Sequence, residues 1–327
     1  MKKNKQWYLI LIGVFCIQTI YVACSVKRSD RGFSKIQKYS NTVLAEQYKK
    51  ALLSTNNDVF VPFTYLSSDS HTIKYRLLSP AKVKSGESYP LVLVLHSSGQ
   101  IGADNVSQLG VLAKLWATPG VREKYPAYVI APQFPTRSSN YVSLNGSNIL
   151  TSSPDSSLNS VLRLIDSLKE VLPVDKRKIY VIGFSMGAST AINSVSLRPD
   201  LFAAAVSISG IPEFKAIATL AKTPVWFIHG NADTENPITS DSLLYTQLQL
   251  KHAKEIRYWE INQLEHTIYP PLFMEHLIPQ WLFRHKKQEN QLLYAPHLQA
   301  HTCQHLNLKA NDVFIKPNKY SYLFHRR

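Results

Sequence analysis

The sequence predicts an α/β protein with a mostly parallel central sheet and helices on both of its faces. Three observations carry this. Short, continuous apolar runs such as Leu91-Val92-Leu93-Val94-Leu95 suit strands buried on both faces. Between them lie amphipathic stretches: Leu158, Val161, Leu162, Ile165, Leu168 and Leu172 recur at three- and four-residue steps, so they line one face of a helix. Finally, strands and helices alternate, which is the pattern of parallel strands joined by crossover helices.

Taken in order, residues 59–61 and 73–78 read as antiparallel opening strands with period-two alternation. The buried strand 91–95 follows, then a helix over 105–117 and a strand over 128–130. Residues 136–153 are rich in Ser, Asn and Thr and read as an irregular surface loop. A long helix covers 155–172, started by Pro154 and Asp155 and stopped by Pro173. Strand 178–182, helix 188–197, strands 203–208 and 225–228, helix 241–250, strand 256–260 and a last helix over 271–283 complete the body. No internal repeat interrupts the series.

The chain has 327 residues, is 45% hydrophobic and 18% charged, and carries a net charge of +15. That apolar content excludes a wholly disordered chain. Cys16, Cys24 and Cys303 are too few for a disulfide framework. The charge lies at the ends. Residues 1–50 hold 10 Lys/Arg against 2 Asp/Glu and residues 284–327 hold 8 against 2, whereas 51–283 hold 19 against 18. A nucleic-acid enzyme would carry its basic footprint on the folded body, so no nucleic-acid partner is expected.

Lys2, Lys3 and Lys5 precede an apolar stretch from Trp7 to Cys24, the arrangement of an export signal. Tyr21-Val22-Ala23-Cys24-Ser25 resembles a lipobox, with Tyr21 where an aliphatic residue is usual. Residues 1–24 therefore read as a lipoprotein signal, a cleaved secretory signal or a single anchor. All three place the body outside the cytoplasm, in the periplasm or outer envelope or secreted, with possible membrane attachment through the N-terminus. Residues 25–57 read as a basic linker, 58–285 as the catalytic domain, and 286–327 as a loose basic extension. His297, His301, Cys303 and His305 in that extension lack the spacing of a metal site.

Gly183-Phe184-Ser185-Met186-Gly187 is a GxSxG sequence that directly follows a buried strand and opens into a small-residue helix. That context is the nucleophile elbow, which holds a serine in a strained turn above a sheet. A serine hydroxyl needs a base, and the base needs an orienting acid, in the chain order Ser, acid, His. The acid candidates are Asp233 and Glu235, in the loop after strand 225–228, with Asp233 favoured. His266, in the loop after strand 256–260, is the best base, ahead of His229, His252 and His276. The loop His96-Ser97-Ser98-Gly99-Gln100 follows the buried strand 91–95, where an oxyanion-binding amide is expected.

Further stretches complete the pattern: Tyr75 to Pro80, Pro90 to His96 with Gly99, Gly102, Asp104 and Asn105, Ala131-Pro132-Gln133, Arg198 to Val206, and Pro224 to Gly230 with Asp233 and Pro237. With the elbow and His266, this ordered set over about residues 59–285 resembles the α/β-hydrolase superfamily. Within it the chain is similar to the branch of predicted secreted peptidases of prolyl-oligopeptidase type and polyhydroxybutyrate-depolymerase-like or feruloyl-esterase-like esterases. The resemblance implies the α/β-hydrolase fold, Ser185 as nucleophile, Asp233 as acid, His266 as base, and Ser98 and Met186 as oxyanion N–H donors. It implies neither a metal nor an organic cofactor. Ser97 stands where the family usually has Gly, and Leu264-Glu265 replace a Gly-rich lead-in to the histidine.

The expected function is an exported serine hydrolase cleaving small-molecule or polysaccharide-linked carboxylic esters through an acyl-enzyme. Two other readings fit the same residues: a peptidase with the same triad, and a catalytically inactive envelope binding protein that keeps the fold. Residues 25–57 are too short for the gating domain that such peptidases often carry, which favours the esterase.

Overall fold

The computed structural model describes residues 31–69 and 71–288. The expected signal, Cys24, and the tail with His297, His301, Cys303 and His305 lie outside the described residues. In chain order the elements are β1 (Gly32–Ile36), α1 (Thr42–Leu53), β2 (Val61–Leu66), β3 (Thr72–Leu78), β4 (Tyr89–Leu95), α2 (Val111–Leu115), α3 (Pro119–Lys124), β5 (Tyr128–Gln133), β6 (Ser139–Ser143), β7 (Leu150–Pro154), α4 (Ser156–Val171), β8 (Val174–Phe184), α5 (Met186–Leu197), β9 (Ala204–Ile208), α6 (Ile217–Leu220), β10 (Val225–Gly230), α7 (Thr239–Leu250), β11 (Ile256–Ile261), α8 (Pro271–Met274) and α9 (Leu277–Leu282).

A nine-stranded sheet runs in the order β1-β11-β10-β9-β8-β4-β5-β3-β2. It is parallel throughout except where β3 pairs antiparallel with β2 and β5. This is the α/β-hydrolase fold. Successive side chains of a strand point to opposite faces, and β4 divides its residues accordingly. Leu91, Leu93 and Leu95 enter one core and Val92 and Val94 the other. In β8, Ile179 and Val181 join the first core, and Tyr180 and Ile182 the second. Both faces are covered, which is why these strands read as unbroken apolar runs. Helix α4 presents the predicted stripe, with Leu158, Val161, Leu162, Ile165 and Leu168 all in the first core. Asp155 caps it by accepting the Ser157 N–H at 3.0 Å.

Five stretches differ from expectation. The expected linker 25–57 belongs to the fold from residue 31 onward. Strand β1 is the sheet's edge, parallel to β11, with Phe33 opposite Tyr258 and Ile36 opposite Ile261. Its basic residues meet acids: Arg31 pairs with Glu255 at 2.5 Å and Lys35 with Glu260 at 3.5 Å. Helix α1 then packs against the body through Ala45 and Leu52. The expected strand 59–61 is a 3₁₀ turn over Asn57–Val59, and the strand itself runs Val61–Leu66.

The Ser-rich stretch 136–153 contains a hairpin, β6 against β7, rather than an irregular loop. The hydroxyls at its base are satisfied in the interior: Ser138 and Ser139 lie 2.7 and 2.9 Å from Thr190 Oγ1, and Asn193 Nδ2 donates to Ser139 Oγ at 2.8 Å. Polar composition marks here a buried hydrogen-bonded seam against α5. The helix expected over 105–117 shrinks to α2, because Asn105 adopts φ 57° and ties β3 and β5 to the loop. The helix expected over 271–283 is two short ones, with Glu275 extended between them. Pro279 explains the break, since its ring would collide with the Glu275 carbonyl in a continuous helix.

Candidate active site

Strand β8 delivers Phe184 and Ser185 to the C-terminal edge of the sheet, and α5 starts at the next residue. Ser185 sits at φ 57°, ψ −122°, a conformation that side-chain-bearing residues rarely adopt. Its N–H donates to Ile208 O at 2.9 Å, which fastens the turn to β9. The turn is tight enough to exclude side chains beside it. A Cβ on Gly183 would lie 2.1 Å from Gly187 O, and one on Gly187 would lie 2.2 Å from Leu95 O. The two glycines of GxSxG thus let strand, helix and the loop after β4 close on one another around Ser185.

The loop after β10 carries Asp233 and the loop after β11 carries His266. The Ser185 hydroxyl lies 2.8 Å from His266 Nε2, and His266 Nδ1 lies 2.7 Å from Asp233 Oδ2. With Nδ1–H donating to the carboxylate, Nε2 is left as an acceptor for the serine proton. Asp233 Oδ1 accepts the N–H groups of Glu235 at 3.0 Å and Asn236 at 2.9 Å. Burial would raise the Asp233 pKa, but hydrogen bonds from His229, His266 and the Asn236 N–H outweigh it and hold the carboxyl well below the usual range. It therefore stays an anion beside the base. Glu235, the competing acid, is 73% exposed and approaches His266 Nε2 only to 3.8 Å.

Of the rival histidines, His252 ends α7 in a left-handed turn, and His276 packs edge-on against Tyr125. His229 is different. It is fully buried behind Asp233, with Nδ1 2.7 Å from Asp241 Oδ2 and Nε2–H donating to Asn236 O at 2.9 Å. The same nitrogen lies 3.4 Å from Asp233 Oδ2. Burial opposes its charge, yet the bonds to Asp233 and Asp241 lift its pKa to about 9. Behind the hydrogen-bonded series Ser185–His266–Asp233, His229 thus lies bonded to Asp241 and at ion-pair distance from Asp233, bracing the acid from below. Asp241 sits twelve residues from His229 along the chain, on the first turn of α7, so spacing alone offers no signal for this pair.

In the loop after β4, the Ser97 N–H and hydroxyl both donate to Gln100 Oε1, at 3.1 and 2.7 Å. The Ser97 side chain is thus turned onto Gln100. His96 Nε2 accepts the Phe134 N–H at 2.9 Å, so its Nδ1–H donates to Ser97 O at 2.8 Å. Gln133 completes the scaffold by donating to Gln100 O at 3.2 Å and accepting the Asn105 N–H at 2.6 Å. The Ser98 and Met186 N–H groups have no hydrogen-bond acceptor among the described residues. Met186 opens α5, where a helix N-terminus favours negative charge. Gln100, Gln133 and His229 stand in stretches the sequence singles out but act as supports, and Asp241 is the supporting residue that the sequence did not point to. Among the described residues no group of three or more His, Cys, Asp or Glu side chains could hold a metal ion.

Known proteins are similar to this chain in sequence and fold. The family model described as phospholipase/carboxylesterase matches residues 147–278, which include Ser185, Asp233 and His266. A protein named as an esterase, NocK of Nocardia uniformis subsp. tsuyamanensis, is 30% identical over 176 residues, covering 51% of this chain and 46% of that protein. A protein of Oryza sativa subsp. japonica named as a carboxylesterase is 29% identical over 168 residues, covering 44% and 68%. The chain thus matches about half the length of the first of these relatives. Among solved structures, a thermostable esterase superposes with a TM-score of 0.65 at 28% identity, covering 70% of this chain and 64% of its own. Porphyromonas gingivalis dipeptidyl peptidase 4 shares the fold at 11% identity, with a TM-score of 0.53 over 69% of this chain and 35% of its own.

Proposed function

The chain belongs to the α/β-hydrolase superfamily, and from that premise we propose that it is a serine hydrolase of the carboxylesterase class, acting through Ser185, His266 and Asp233. The single observation that carries this reading is the unbroken chain Ser185 Oγ–His266 Nε2, 2.8 Å, and His266 Nδ1–Asp233 Oδ2, 2.7 Å. Such a chain lets His266 take the serine proton as the hydroxyl attacks, while ionised Asp233 stabilises the imidazolium and fixes its tautomer. The N–H groups of Ser98 and Met186 receive the charge that develops on the carbonyl oxygen. His266 then protonates the leaving alcohol, and water, activated by the same histidine, releases the acid from the acyl-enzyme. The esterase-named relatives support esters as the substrate class.

A fluorophosphonate probe tests this directly. The folded wild-type protein is expected to be labelled at Ser185, and the Ser185→Ala variant to remain unlabelled. A folded wild-type sample that takes no label rules the reading out.

Export is part of the proposal and rests on the basic head, the apolar stretch 7–24 and the lipobox-like ending at Cys24. Lipid attachment predicts that Cys24→Ala shifts the protein from the membrane fraction to the soluble fraction. Unchanged partitioning excludes lipidation at that cysteine.

A further inference from the structure

A cavity of about 400 Å³ opens beside the triad, with His266 and the Ser97 loop at its inner end and the N-terminal segment 38–53 as its outer wall. We propose that this cavity binds the leaving alcohol of the ester, that the alcohol is a compact apolar one, aryl or medium alkyl, and that helix α1 sets its size limit. The inference rests on the serine-hydrolase reading above and adds the substrate class to it.

The side of the site follows from the proton's path. In acylation the Ser185 Oγ–carbonyl carbon bond forms, the carbon–alkoxy bond breaks, and the proton taken from Ser185 passes from His266 Nε2 to the departing oxygen. That oxygen must come within hydrogen-bond reach of His266 Nε2, so the group attached to it occupies space on the His266 side. The cavity is built there. Its wall includes His266 and the residues that follow it, Thr267 and Ile268, together with Phe184, whose ring stands 5.0 Å from the His266 ring.

The lining selects the chemistry. Ala45 and Leu53 of α1 line it together with Val111, Leu112 and Phe273. Tyr39, Thr42, Gln108 and Thr267 add polar atoms, but most of the lining surface is apolar, so a sugar would leave part of its hydroxyls unpaired there, at a cost for each. The charged lining residues Lys38, Glu46 and Lys49 belong to the exposed N-terminal segment, and Glu46 pairs with Lys49 at 3.5 Å. The volume is at the small end for ligand pockets, which suits one ring or a short chain and not a polymer segment.

The outer wall is held in place. Buried Lys114 donates to the backbone carbonyls of Leu53 and Thr55 at the end of α1. Leu52 packs with Val111 and Phe273 in a small core of its own. At the other end, the Tyr269 hydroxyl donates to Gln37 O at 3.2 Å and the Asn262 N–H to Ile36 O at 2.8 Å, tying the segment to the His266 loop. A fixed wall is what lets a residue on α1 set a size limit.

The experiment is Ala45→Trp, which fills the cavity from α1, assayed on acetates of one acid and varied alcohols. The kcat/KM for 2-phenylethyl and naphthyl acetates is expected to fall at least about tenfold relative to ethyl acetate. Breakdown of the acetyl-enzyme is expected to be unchanged, because the alcohol has already left. Ile268→Ala, which enlarges the cavity, is expected to shift preference the opposite way and covers the case in which Ala45→Trp does not fold. Selectivity by acyl length, with slowed breakdown of the acyl-enzyme, would assign the cavity to the acid and overturn the proposal. No selectivity in either series overturns it as well. A wild-type protein that neither takes the fluorophosphonate nor cleaves ethyl acetate refutes the hydrolase reading instead, so the two failures are distinct.

Discussion

Removing the Ser185 hydroxyl in Ser185→Ala is expected to lower kcat by about six orders of magnitude, with His266→Ala close behind and the double variant no worse than either. The reason lies in the geometry. At 2.8 Å the serine proton has one destination, His266 Nε2, and the histidine has one task at this stage, to accept it. Each residue is nearly useless without the other, so their effects do not add. What is expected to survive is the stabilisation by the proposed oxyanion donors, the Ser98 and Met186 N–H groups, and by binding, about 10³–10⁴ over the uncatalysed rate. The check is kcat on a short-chain nitrophenyl ester for the four proteins, with circular dichroism to verify folding. Additive losses in the double variant would show that Ser185 and His266 do not act as a unit.

Asp233→Asn is expected to lower kcat by about four orders of magnitude while leaving the fold intact. The carboxylate accepts from His266 Nδ1 at 2.7 Å and from two backbone N–H groups. An amide can offer its N–H₂ to Nδ1, which moves the histidine proton to Nε2 and blocks the site that must receive the serine proton. It also removes the negative charge that steadies the imidazolium. Glu235→Gln is the control, expected to change kcat by no more than about twofold, because its exposed carboxylate is screened by solvent. Kinetics of the two variants side by side decide the assignment. A large loss in Glu235→Gln with a small one in Asp233→Asn would reverse it.

The parts legible in the sequence are those whose signal is local. The stripe of α4 announces itself because a helix buried on one side must repeat its apolar residues at three and four. Strand β4 is readable because burial on both faces leaves no polar position. The elbow is readable because two glycines must flank a serine between a strand and a helix that nearly touch. The order Ser185, Asp233, His266 follows from the order of parallel strands, each of which ends in a loop on the same edge of the sheet.

Where the reading failed, distant partners changed the meaning of a composition. The basic stretch from Arg31 resembles a linker until Glu255, just before β11, and Glu260 within it are placed beside it. The hydroxyl-rich residues of β6 and β7 resemble a solvated loop until Thr190 and Asn193 supply buried partners. Residues 105–110 follow a helical pattern but are drawn out of it by bonds to β3 and β5.

The amino-acid order alone thus specified the fold class, the strained serine and the candidate acid and base, since each depends on residues close together in the chain or on the succession of strands. It could not specify the bracing of Asp233 by His229 and Asp241, the seating of Ser138 and Ser139 on Thr190, or the use of α1 as a cavity wall. Those depend on which surfaces meet once the sheet has formed. A hydrogen bond or a cavity between residues far apart in sequence leaves no periodic trace in either segment.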